Sequence, residues 1–255
     1  MMPAESIAFY QTQIFWTALT ALVAVLALIL SQLPPVREML KGAKLELDIY
    51  PRILITHKVG NPNILLHLII RNTCGKSIMI KSAAVSLRRA GKEVIMLPAQ
   101  NYLPNPVDTK QLFPFISFNL RPKEDWAYQV NFYNLFSRED DRNFANSISA
   151  LKEQIMIKAK LSENKEGLVE ADAQYLKPFF EMYKDRFIWQ PGEFEMQLSI
   201  NVDPGKANIT NKYRFTLFES DSADLVKHKD YYKYGEGLFW GSDRVKGIIV
   251  EVIAV

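Results

Sequence analysis

One cysteine in 255 residues, Cys74, means that no intrachain disulfide can staple the chain, so its fold must rest on a hydrophobic core. Histidine is almost as scarce: His57, His67 and His228 stand apart, with no HExxH and no Cys/His pair at zinc spacing, so no metal ligand is expected. A GxSxG nucleophile elbow is missing too. Gly235-Glu236-Gly237 with Gly241 lacks the third-glycine spacing of a nucleotide loop and follows a helical pattern rather than a strand. Asp221-Ser222-Ala223-Asp224 cannot open a calcium loop, because Tyr232 stands where the bidentate acid is required. These absences predict no catalytic residue, no cofactor and no enzyme activity. With 31 basic against 28 acidic residues the net charge is only +3, too even for a nucleic-acid partner to be expected. Low-complexity tracts and internal repeats are also lacking, and 48% hydrophobic with 23% charged residues describes a folded chain.

Charge itself is absent from one long stretch, between Glu5 and Arg37. Within it, residues from Ile14 to Leu33 are almost wholly apolar and long enough, at 1.5 Å per residue, to cross about 30 Å of hydrocarbon as a helix. Phe9, Tyr10 and Trp16 fall near its start, where amphipathic rings favour headgroups, and Pro34-Pro35 mark its end. The reading is a short tail over 1–13, a transmembrane helix over 14–33 and a juxtamembrane linker over 34–44. A cleaved signal peptide would carry a basic start and a small-x-small cleavage site, and neither is present. Lysine and arginine flank only the C-terminal side, as Arg37, Lys41 and Lys44, which predicts a single-pass inner or plasma membrane protein with its C-terminal domain in the cytoplasm. An unpaired cysteine agrees with that reducing compartment, where Cys74 reads as a small buried hydrophobe.

From Leu45 onward the period is two. Leu45, Leu47 and Ile49 alternate with Glu46 and Asp48, and residues 64–70 form a nearly continuous apolar strand after a turn at Gly60-Asn61-Pro62. Asn72-Thr73-Cys74-Gly75-Lys76 reads as the next turn, and Arg89-Ala90-Gly91-Lys92 as a hairpin connection. Further strands are expected at 78–80, 84–87, 94–97, 115–120, 126–132, 192–200, 213–218 and 248–253. Such spacing predicts a mainly β chain, an antiparallel β-sandwich over 45–255. A helical insertion is expected over about 136–190. Its first helix is capped by Ser137 and uses Phe144, Ile148, Leu151 and Ile155 as one face. The alternation of Ile157 to Leu161 predicts that this helix stops near Gln154. A second helix is expected over 178–187, and a third from Ser220 to Tyr234, left at Gly235.

The run from Arg71 to Ile80 (RNTCGKSIMI) and that from Trp189 to Leu198 (WQPGEFEMQL) resemble immunoglobulin-like or fibronectin-like sandwich domains carried by membrane-anchored bacterial proteins of unknown function. The resemblance covers residues 45–135 and 188–218 and implies a fold, not an activity. The two cysteines and packing tryptophan of antibody-type domains are missing.

Two groups of residues suggest contact surfaces. Arg71, Lys76, Lys81, Arg88, Arg89 and Lys92 are six cations with no acid among them; with Arg37, Lys41 and Lys44 they could meet anionic headgroups, or else merely blunt a sheet edge. Tyr231, Tyr234, Phe239 and Trp240 form an aromatic run interleaved with lysines, a candidate interface for a protein partner of unknown identity. The expected role is a membrane-anchored binding or sensor module, held to the bilayer by residues 14–33. The alternative is an envelope structural or adhesion protein with its sandwich outside the cytoplasm.

Overall fold

In the computed structural model, residues 13–32, 44–104, 111–161 and 168–255 are described. The apolar N-terminal run is a helix, α1 (Gln13–Gln32), with exposed side chains along nearly its whole length. Leu33, the expected last residue of the span, lies outside the described residues.

The rest is mainly β. Twelve strands run β1 (Leu45–Ile49), β2 (Arg52–Lys58), β3 (Asn61–Asn72), β4 (Ile78–Arg89), β5 (Lys92–Leu103), β6 (Phe113–Pro114), β7 (Phe118–Leu120), β8 (Asp125–Tyr133), β9 (Gly192–Asp203), β10 (Ile209–Leu217), β11 (Ile248–Glu251) and β12 (Ile253–Ala254). All pair antiparallel, in the order β11-β2-β3-β8-β5-β4-β9-β10-β12, with β1 on β3, β6 on β5 and β7 on β4. Alternation places Ile64, Leu66, Leu68 and Ile70 of β3, and Phe194, Met196, Leu198 and Ile200 of β9, in one shared core. The expected strand at 115–120 is shorter, because only Phe118–Leu120 pairs, with β4.

Two segments join the two halves of this sheet. β5 pairs with β4 as far as Pro98 and with β8 from Ala99, with a register shift between Ala99 and Asn101. Pro98, which has no amide to donate, stands at the changeover. At the C-terminus β11 lies on β2 and β12 on β10, one residue apart, so the two outermost strands of the order are consecutive in the chain. The Val252 amide donates to Pro51 and the Val255 amide to Lys212, 2.8 and 3.0 Å. The sheet is therefore nearly closed, and few strand edges remain unpaired.

The β4–β5 turn is the one expected, with positive φ at Ala90 (49°) and Gly91 (76°). The β2–β3 turn is Val59-Gly60, φ 51° and 82°, rather than Gly60-Asn61-Pro62, because Asn61 and Pro62 already pair with Lys58 and His57. A side chain at Gly60 would put its Cβ 2.6 Å from the Tyr183 carbonyl oxygen, so that turn is docked against the helical part.

Three helices follow. α2 (Arg138–Leu161) is capped by Ser137, whose hydroxyl accepts from the Asp140 amide at 3.0 Å. It continues past Gln154 through the alternating run to Leu161. Lys158 explains why: its ammonium bonds the Glu170 carbonyl and the Asp172 carboxylate, fixing the last turns as helix. α3 (Ala173–Arg186) begins five residues earlier than expected and contains Pro178 as its sixth residue, where the missing amide leaves the Gln174 carbonyl without its helical donor. α4 (Glu219–Lys227) is the expected third helix, but it tightens into a 3-10 turn (His228–Tyr234) ended by Gly235 at φ 81°. Phe144 and Leu151 of α2, Phe179 and Tyr183 of α3, Tyr232 of the 3-10 turn and Val59 of the β2–β3 turn form a second core. The insertion is thus a packed unit seated on the β2–β3 turn.

At the opposite end of β3, Asn72 is buried and fully bonded. Its amide nitrogen donates to the carbonyls of Lys76, Leu120 and Arg121 at 2.8–3.0 Å, and its oxygen accepts from the Cys74 amide and thiol. One side chain thereby holds the 72–76 turn to the β7–β8 turn. Asn72→Ala is expected to destabilise the full chain in mild detergent by about 3 kcal/mol, read by urea unfolding, since it orphans several buried groups at once. A loss below about 0.5 kcal/mol would contradict this role for the side chain.

Candidate functional site: an amide-lined cleft

Along β3, β8 and β5, alternation sends one set of side chains into the core and the other outward. Next to the helical insertion the outward set is rich in asparagine. Asn63 of β3, Asn131 and Tyr133 of β8, and Asn101 of β5 line a cleft of about 450 Å³ with Asn61 and Asn134. Leu112, Leu135 and Phe136 supply apolar wall, and Lys58 and Asp141 one charge of each sign.

The amides are ordered by each other. Asn131 donates through Nδ2 to Asn101 Oδ1 at 2.7 Å, and Asn101 Nδ2 donates to the Tyr133 hydroxyl at 3.1 Å. Asn61 Nδ2 donates to the Asn134 carbonyl at 2.8 Å, and Asn134 Nδ2 to the Met96 carbonyl at 3.0 Å. Asn63 differs: its Oδ1 is buried and accepts from no group among the described residues. A buried acceptor without a donor costs about 1–3 kcal/mol, so Asn63 is a local cost to stability. Chemically, this lining binds through fixed neutral donors and acceptors.

Nothing in the sequence brought these residues together. The asparagines are scattered from position 61 to 134 and converge only through strand register. The signal that could have exposed them is polar amides at outward positions of otherwise apolar strands.

The cations expected to form one surface fall at both ends of β4. Lys44, Arg71, Lys76 and Lys81 lie at the Asn72 end, where the chain from α1 enters β1; Arg71 pairs with Asp125 at 3.5 Å and Lys81 with Asp203 at 3.1 Å. Arg88, Arg89 and Lys92 lie at the β4–β5 turn, about 23 Å from Lys81 along the strand. There Arg88 donates to the Gly91 carbonyl and Arg89 to that of Pro191. Arg37 and Lys41 lie outside the described residues.

The aromatic run 231–240 is held within the second core and its rim. Tyr231 lies under Arg244, Tyr234 donates to Glu170 at 2.7 Å, and Phe239 covers Gly235 and meets Lys152. Trp240 donates to the Tyr234 carbonyl and is 39% exposed.

Between the two cores, His57 and His228 stand 5.0 Å apart, ring centre to ring centre. Nδ1 of His57 accepts from the Gly60 amide, so its Nε2–H donates to the Leu225 carbonyl, an arrangement only the neutral ring can make. Burial lowers the His57 pKa to about 4, His228 adding repulsion, and burial lowers that of His228 as well. Burial likewise raises the phenols of Tyr183 and Tyr232, both part of the second core. Among those residues no group of three His, Cys, Asp or Glu could hold a metal ion.

No family model matches the chain, and no curated protein sequence matches it. Solved structures similar to it include a protein from Archaeoglobus fulgidus, at 7% identity and a TM-score of 0.25 over 69% of this chain and 98% of that one. Another is the sporulation control protein Spo0M from Bacillus subtilis, at 7% identity and a TM-score of 0.27 over 76% of this chain and 56% of that one.

Because the folded chain resists protonation of His57 while the unfolded chain accepts it, the stability this ring contributes is complete above about pH 6.5. It is lost as pH falls toward about 4, by at most about 3 kcal/mol. Urea midpoints compared at about pH 7 and pH 5 should fall less in His57→Gln than in the unaltered chain. Equal falls would contradict the assignment.

Proposed function

We propose that the chain is a single-pass, membrane-anchored binding module, with its C-terminal domain in the cytoplasm and no catalytic role. The observation that carries this reading is α1, apolar on every side, with a mean hydropathy of 2.4 over Gln13–Ser31 and none of that stretch buried against protein. Such a surface needs another apolar medium, and a bilayer supplies it. Arg37, Lys41 and Lys44 on one flank favour retention of the C-terminal side in the cytoplasm. Lys44, Arg71 and Lys76, at the end of the sheet where the tether enters, suit anionic headgroups. The amide cleft sits near the other end of β3, about 30 Å along the strand from Asn72, which presents it away from the tether. A lining dominated by amides holds a ligand without moving protons. We read the nearly closed sheet as an immunoglobulin-like sandwich, with β5 and the C-terminal tail passing between its two halves.

The second reading, a structural or adhesion protein facing out of the cytoplasm, is equally compatible with Cys74. The thiol is 2% exposed and bonded to the Asn72 oxygen and the Lys76 carbonyl, so it is as secure in an oxidising compartment as in a reducing one.

A C-terminally tagged chain should sediment with membranes and resist protease in intact cells until they are permeabilised. Digestion in intact cells would overturn the cytoplasmic placement, and recovery in the soluble fraction would overturn the anchor.

A further inference from the structure

At the end of the sheet where the tether enters, three segments gather around Asn72. The Thr73 amide donates to the Lys44 carbonyl, and the Asn72 and Lys123 amides tie the 121–124 turn to β3. The 204–207 turn follows Asp203, which stands opposite Met79. Arg71 and Lys81 are paired with Asp125 and Asp203, but this end also exposes Lys44, Lys76, Arg121, Lys123 and Lys206, with Glu46 and Glu124 as the acids beside them. Five cations against two acids leave an excess of three, equal to the net charge of the whole chain. Next to this basic rim lies an apolar shoulder. Trp126, opposite Ile70, stacks on Phe118, opposite Ile80, at 5.1 Å, and Phe115 stands edge-on to both at 5.7 and 6.1 Å. None of the three rings is fully buried, and the same segment holds Phe113 and Ile116 out at 46% and 67% exposure. The Ser117 hydroxyl donates to the Lys81 carbonyl, so Ile116 lies beside the basic end of β4.

We infer that this end of the domain docks on an anionic bilayer, with Phe113 and Ile116 entering the interface and the turn cations meeting lipid phosphates. The inference rests on the membrane-anchored reading and adds a second, reversible contact to the span. From Gln32 to Lys44 the chain reaches at most about 40 Å, so the tether keeps this end at high effective concentration over the leaflet. Aromatic rings favour the headgroup zone, and an apolar surface with basic neighbours gains both from burial and from anionic lipid. The rings are already packed on one another, so little side-chain freedom is lost on docking.

The test places a lipid-contact probe on the full chain in nanodiscs of phosphatidylcholine with about 30% phosphatidylglycerol and a spin-labelled lipid. A nitrobenzoxadiazole dye is attached at Ile116→Cys or, as the control, at Leu135→Cys, which is 69% exposed but lies past the other end of β8; Cys74 is buried. Quenching by the spin label is expected to be at least about twofold stronger at 116 than at 135. It should fall by about half or more in about 0.5 M salt, or without phosphatidylglycerol. The triple variant Lys76→Gln, Arg121→Gln and Lys206→Gln should lower it likewise, with the melting temperature unchanged. Equal quenching at the two positions, or quenching at 116 indifferent to salt and to the variant, overturns the docking. Because the span alone suffices to carry the chain into nanodiscs, a chain that enters them with position 116 in water loses this contact and keeps the anchor.

Discussion

The passage of β5 from one half of the sheet to the other is the constraint on which the rest of the β domain depends. Up to Pro98 the strand extends the β4 side, and from Ala99 it extends the β8 side. A regular strand keeps one set of side chains inward throughout. The register shift at Ala99–Asn101 breaks that rule once, which lets the strand change partners and bends it as a bulge does. The same shift sets Asn101 opposite Asn131 on the outer face while Tyr102 opposes inward Val130. The irregularity that closes the sheet therefore also brings the third strand to the cleft.

Closure is completed by the C-terminal segment, whose few residues bond first to one outer strand and then to the other. Each partner alone would present an open edge. Polarity along the domain follows from the same layout. Asn72 ties the turns at the end where the tether arrives, and the Val59-Gly60 turn at the other end receives the second core. His57, at the foot of that turn, is locked neutral by bonds to both sides. The helical insertion thus rests on the sheet through packed rings, with Tyr183 and Phe187 edge-on to His57.

Much of this was legible in the sequence, for a simple reason. Period-two alternation is decisive where one face is buried, so β1, β3 and β9 could be placed from Leu45, Ile64 and Phe194 onward, and paired positive-φ residues announce a hairpin at Ala90-Gly91. β2 escaped because Arg52 to Lys58 was overshadowed by the Gly-Asn-Pro signal beside it. The first part of β5, Val94 to Leu97, was legible after its hairpin, but the continuation past Pro98 escaped because the period is interrupted at Gln100. α2 ran on through an alternating stretch because Lys158 found carbonyl and carboxylate partners that lie beyond the helix in sequence. The amide cleft was invisible for a deeper reason: it consists of strand pairings and hydrogen bonds between residues up to 73 positions apart, and no local window contains them.

The crossing of β5 is tested most directly by cysteine cross-linking in the folded full-length chain. One variant pairs Ser86→Cys with Met96→Cys, residues opposite each other across β4 and β5; a second pairs Asn101→Cys with Asn131→Cys, opposite across β5 and β8. Directly opposed strand residues lie within disulfide reach, and Cys74 is too well buried to interfere. Under mild oxidation, intramolecular disulfides are expected in both variants, which requires one strand to serve both halves. Formation of only one of the two would contradict the crossing, and with it the closure of the sheet and the geometry of the cleft.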